Sequence, residues 1–140
     1  MILTQHTADL FTSANTASLR ELLEGGRLPA LYTGLSAAAR AHLAAVIRSE
    51  TESPVVVICA DESTAEAFAR DVSALLQASV PVLTARDYTF YTAVSVSRQT
   101  EQRRIGALYA LARGETPIIV STVSGLMQRA IPHEVLLQTA

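Results

Sequence analysis

The sequence predicts an α/β fold, a mostly parallel sheet with helices on both faces. Three observations carry that prediction. Apolar runs such as Val55–Ile58 and Ile118–Val120 do not alternate with polar residues, as expected of strands buried on both faces. Each run is followed by a segment with apolar residues at helical spacing, the rhythm of βαβ units. The chain of 140 residues, 49% hydrophobic and 17% charged, is long and apolar enough for one real core.

Taken in order, "SLRELLEGG" opens with a capping box, Ser18 with Glu21, and closes on Gly25-Gly26, which predicts a short docking helix with Leu19, Leu22 and Leu23 on one face. This N-terminal segment covers 1–26. The α/β domain occupies 27–140 and is expected to be cut short at its C-terminal end, because "PHEVLLQTA" starts a further apolar run and stops. Strands are predicted near 29–33, 54–59, 80–84 and 117–121. Helices are predicted over Ser36–Ser49, over 61–77 with Ala65, Phe68, Ala69, Val72, Leu75 and Leu76 inward, over 98–113, and in "VSGLMQRA". In the third of these, Ile105, Leu108 and Leu111 are expected to face inward, with Arg103 and Arg104 solvated or paired with Glu101. No internal repeat or low-complexity segment interrupts the pattern.

Composition excludes several classes. The net charge of -2 gives no general field for nucleic acid, and all eleven basic residues are Arg. The lone Cys59 lies in an apolar run and cannot form an internal disulfide. There is no signal-peptide pattern and no run long enough to span a membrane, so a cytoplasmic protein is expected. His6, His42 and His133 stand apart without ligand spacing, so no metal site is expected.

Thr33-Gly34, between an apolar run and an Ala-rich helix, stands where a phosphate loop would stand. With Gly34 as the central glycine, the second glycine of G-x-x-x-x-G-K-[ST] becomes Ser36, the Lys becomes Ala37 and the Ser/Thr becomes Ala38. The turn Thr33, Gly34, Ser36, Ala37, Ala38 therefore keeps the shape of the motif without its chemistry, and no catalytic residue is assigned. A helix N-terminus still attracts anions weakly. The same stretch imitates a nucleophile elbow, but the elbow would follow the first strand, and Ser36 is better read as a helix N-cap. Asp61-Glu62 after "VVVICA" imitates a Mg²⁺-binding acidic motif; a helix-start signal explains both carboxylates more simply.

"ARDYTFYTAVSVSRQTEQRR" holds three of the seven aromatics and four of the eleven arginines. It reads first as a loop packed by its own aromatics and then an amphipathic helix. The other reading makes Tyr88, Tyr91, Arg98, Arg103 and Arg104 contacts for a partner or for DNA.

These residues resemble a known family. "LPALYTGLSAAARAHLAAVI", "PVVVICADESTAEAFARDV", "SRQTEQRRIGALYAL" and, most specifically, "PIIVSTVSGLMQRAIPHEVL" resemble the N-terminal region of bacterial transcription-repair coupling factors, over roughly Leu19 to Leu137. That region is itself similar to the first domain of the excision-repair subunit UvrB, a P-loop NTPase-like fold. The resemblance implies a degenerate nucleotide site in a non-catalytic domain, needing no cofactor, within a larger ATP-dependent DNA translocase. The parent's downstream motor would use ATP and Mg²⁺. The parent would displace stalled RNA polymerase and recruit UvrA through neighbouring domains. This segment would act as a scaffold with intramolecular contacts, weak or no DNA binding and no membrane contact. A nucleotide hydrolase with an unconventional site and a nucleic-acid-binding module remain the alternatives.

Overall fold

The computed structural model describes residues 21–25, 29–51, 53–86 and 98–138. Residues 21–24 form a helical turn, closed by the Gly25 N–H donating to the Glu21 carbonyl at 2.8 Å. The Ser18 half of the expected capping box lies outside the described residues.

The elements then run α1 (Ala37–Glu50), β1 (Val55–Cys59), α2 (Glu62–Leu76), β2 (Val82–Leu83), α3 (Arg98–Ala112), β3 (Ile118–Thr122), α4 (Val123–Met127) and α5 (His133–Gln138). The strands make a three-stranded parallel sheet in the order β1-β3-β2, with Val55 opposite Ile118 and Val82 opposite Val120. Crossover helices separate the strands, as parallel pairing requires.

Local chemistry sets the helix ends. Ser36 caps α1 by accepting the Ala39 N–H at 3.2 Å. Asp61 caps α2, accepting from the Thr64 N–H at 2.8 Å and from its hydroxyl at 2.9 Å. Thr122 caps α4 by accepting from the Gly125 N–H at 3.1 Å. Each satisfies an orphan donor of its first turn.

Side chains alternate along β3 and so divide the core in two. Ile118 and Val120 join Ala41 and Ala44 of α1 and Ala65, Ala69 and Val72 of α2. Ile119 points the other way, to Leu83 of β2 and to Ala107, Leu108 and Leu111 of α3. Helices thus cover both faces at the centre of the sheet.

Two expectations fail. Among the described residues there is no strand at 29–33; the segment is irregular and Leu31 is 89% exposed. An apolar run becomes a strand only where a partner edge receives it, and none does here. Nor is β1 buried on both faces: Val55 and Val57 pack on the first core, while Val56 and Ile58 are half-exposed, because α3 lies over β2 rather than β1. The terminal apolar run "HEVLLQ" is the short helix α5.

Candidate functional site

The turn before α1 is an open surface feature. Thr33, Gly34, Ser36, Ala37 and Ala38 are all exposed. Gly34 has φ +74, a left-handed conformation that glycine adopts without strain. Ser36 directs its oxygen to the Ala39 N–H, which settles its local role as a cap. Neither an ammonium nor a hydroxyl reaches out from Ala37 or Ala38, so only the helix-start dipole remains to attract an anion.

Beside this turn, a cleft of about 240 Å³ is lined by Ala37, Arg40, Ile58, Cys59, Thr64 and Asp71, among others. Burial, with the Asp61 carboxylate nearby, pushes the Cys59 thiol up from its ordinary value, and Arg40 only partly opposes this. The thiol is held protonated and is a poor nucleophile. The Asp61-Glu62 pair is divided between two structural tasks. Asp61 caps α2, and the Thr64 hydrogen bonds hold its carboxyl below the usual aspartate range. Glu62 accepts the Ala85 N–H at 2.9 Å and so ties the end of β2 to α2. Among the described residues no three His, Cys, Asp or Glu side chains are grouped so as to hold a metal ion, and no helix is long and apolar enough to cross a membrane.

The densest polar construction lies at the C-terminal ends of β2 and β3. Arg104, 1% exposed, donates from one guanidinium nitrogen to the Thr84 carbonyl at 2.7 Å and to the Gly125 carbonyl at 3.1 Å. Its other terminal nitrogen donates to the Gln128 carbonyl at 3.3 Å. The Gln128 side chain reaches back across the gap. Its oxygen accepts the Arg86 N–H at 2.8 Å and its nitrogen donates to the Arg86 carbonyl at 2.9 Å. The Arg86 guanidinium grips the Glu101 carboxylate of α3 with contacts of 2.6 and 2.9 Å. Ser121, fully buried, donates to the Leu83 carbonyl at 2.8 Å. At Gly125 a Cβ would stand 2.5 Å from the Leu83 carbonyl oxygen and 2.6 Å from the Ser121 hydroxyl, so only glycine lets α4 approach this closely. The "STVSGLMQ" stretch and Arg104 therefore form one knot that joins β2, β3, α3 and α4.

This arrangement corrects the reading of α3. Arg104 is a buried clamp, not a surface contact for partner or DNA, and Glu101 pairs with Arg86 instead of with Arg103 or Arg104. Ile105, expected inside, is 39% exposed. The inward stripe is Arg104, Ala107, Leu108 and Leu111, spaced i, i+3, i+4, i+7. That spacing was available in the sequence, but the charge on Arg104 argued for solvent, and the carbonyls that receive it come from segments some twenty residues away. Arg98 and Arg103 are exposed and lie on α3, while Tyr88 and Tyr91 fall outside the described residues. No aromatic–arginine surface can therefore be drawn from them together.

No family model matches the chain, and no solved structure matches it significantly. A transcription-repair-coupling factor from Myxococcus xanthus is 32% identical over 111 residues, 74% of this chain. The match spans 9% of that protein's length. Over those residues the chain is related to transcription-repair-coupling factor, as the motifs around Gly34 and Gly125 anticipate.

Proposed function

We propose that the chain is a non-catalytic scaffold and docking domain of a transcription-repair coupling protein, similar to the first domain of UvrB but with a degenerate nucleotide site. The observation that carries this reading is the open turn at Thr33–Ala38. The turn leads into a helix start, yet it has neither the ammonium nor the hydroxyl that phosphate and Mg²⁺ chemistry needs. Other polar residues are engaged in structural bonds: Ser36 and Asp61 cap helices, Glu62 ties the segment after β2, and Arg104 and Gln128 hold the knot elsewhere in the domain. A domain with a built core and, among its described residues, no reactive constellation is read as acting through its surfaces. ATP hydrolysis with Mg²⁺, displacement of RNA polymerase and recruitment of UvrA belong in this reading to other domains of the longer protein. The present domain supports them mechanically and holds them in a resting arrangement.

The test is deletion of residues 27–140 from the full-length protein, with UvrA pull-down and basal ATPase rate as readouts. Altered recruitment or an altered ATPase rate is expected. If both are unchanged, the scaffold reading fails.

A further inference from the structure

The free edge of the sheet opens onto a second, larger hollow. Among the described residues β2 pairs with β3 alone, and its other side borders a groove of about 490 Å³ between α2 and α3. Pro81 turns its carbonyl to β3, where it accepts the Val120 N–H at 3.1 Å. Successive residues of a strand direct their backbone groups to opposite edges. The N–H and C=O of Val82 therefore turn away from β3, toward the groove. Thr84, two residues on, follows the same alternation, since its carbonyl goes to Arg104 rather than to β3. Thr84 also lines the groove, and its hydroxyl, shielded from solvent, has no hydrogen-bond partner among the described residues.

The opposite wall is a stripe of α3, Arg103, Gly106, Ala107 and Ala110, and the small side chains of the last three leave width for another backbone. Among the described residues nothing requires a glycine at Gly106. Its φ is not positive, and a Cβ there would meet nothing within 4 Å. Glycine weakens a helix interior, and its presence without need among the described residues fits a backbone that lies close against it. Glu66 stands on the α2 wall and Arg103 on the α3 wall, while Glu115 is already joined to Arg113 at 2.5 Å. Walls of opposite sign do not suit a polyanion; they suit a peptide with a basic side chain on one flank and an acidic one on the other.

We propose that this groove binds an extended peptide segment of a partner protein, which adds to the sheet as a strand beside Val82 with a small side chain against Gly106. Main-chain pairing supplies affinity and the flanking charges supply register, as in other strand-addition sites. The proposal goes beyond the scaffold reading and does not depend on it.

The probe is a phage-displayed library of linear peptides, panned on the whole chain with the Gly106→Phe variant as counter-selection. A synthetic copy of an enriched peptide is expected to lose about tenfold or more in affinity for Gly106→Phe. It should lose part of its affinity for Gly106→Ala, whose methyl enters the space of the peptide's small side chain, and weaken with Glu66→Arg. N-methylation of the peptide amide that pairs with Val82 should abolish binding, while N-methylation of the next amide should not. If Gly106→Phe fails to fold, Ala110→Leu narrows the same groove and is read in the same way. The proposal is overturned if no peptide is enriched, if binding ignores both groove-filling variants, or if every N-methylated peptide still binds. It is also overturned if the chain self-associates and Gly106→Phe abolishes that, because a second copy is then the occupant.

Discussion

Arg104 of α3 donates a 3.1 Å hydrogen bond to the carbonyl of Gly125 in α4, and the same guanidinium nitrogen holds the Thr84 carbonyl beyond β2. One buried cation thus joins three segments that are distant in the chain. The bonds it makes are charge-assisted, and its removal would strand three carbonyls in a site with little water.

Replacement of Arg104 should therefore be among the most damaging single changes in the chain. Arg104→Met is expected to destabilise by at least about 3 kcal/mol, since hydrogen bonds to charged groups contribute about 1.5–3 kcal/mol each. Arg104→Lys should recover only part, because an ammonium cannot span the three carbonyls in the plane of the guanidinium. Arg103→Glu, one residue earlier and exposed, should stay within about 0.5 kcal/mol of the parent. Urea denaturation of the three variants checks the ranking; equal midpoints for Arg103→Glu and Arg104→Met would refute it.

Gly125→Ala should be destabilising although the change is a single methyl on a helix. The new Cβ meets the Leu83 carbonyl and the Ser121 hydroxyl, one backbone and one fully buried, so neither can give way freely. Overpacking of this kind costs about 1–3 kcal/mol. A thermal melt at or above that of the parent would show that α4 shifts without penalty.

Asp61 gives the fold an acid-sensitive element. Its folded pKa lies below the unfolded value, first because of the Thr64 N–H and then because of the Thr64 hydroxyl. The unfolded state therefore binds the proton more readily, and the cap's contribution is present above the unfolded pKa and lost as pH falls through the folded one. Asp61→Asn keeps a capping oxygen without the charge. It should flatten the acid limb of the stability profile while changing neutral stability little. Denaturation midpoints measured from neutral pH down through the carboxylate range would expose an error if both proteins lost stability in parallel.

The turn at Thr33–Ala38 should give no saturable heat when the chain is titrated with Mg·ATP. The double change Ala37→Lys, Ala38→Thr supplies the ammonium and the hydroxyl and is expected to create weak binding without turnover, because Asp61 and Glu62 remain engaged at the start of α2. Saturable heat in the parent, abolished by a Gly34 substitution, would reopen the nucleotide-hydrolase alternative.

The sequence by itself determined what depends on neighbours along the chain. The unbroken apolar runs located β1, β2 and β3, and the helical spacings and caps located α1, α2 and α3 to within a residue or two. Ser36 as a cap and the relation to a transcription-repair-coupling factor were both legible there, because each rests on residue type at fixed spacing. Only the tertiary structure decided what depends on partners distant in the chain. "LPALYT" has the composition of a strand yet finds no edge to pair with, so Leu31 stays in solvent. Val56 and Ile58 have the composition of a buried face but lie half-exposed, because the placement of α3 over β2 is set by packing and not by their own pattern. Arg104 looked like a solvated charge until the fold brought the carbonyls of Thr84, Gly125 and Gln128 around it. A charge enters a core only where hydrogen-bond acceptors replace its water, and such acceptors, being backbone atoms of other segments, leave no mark in the sequence beside it.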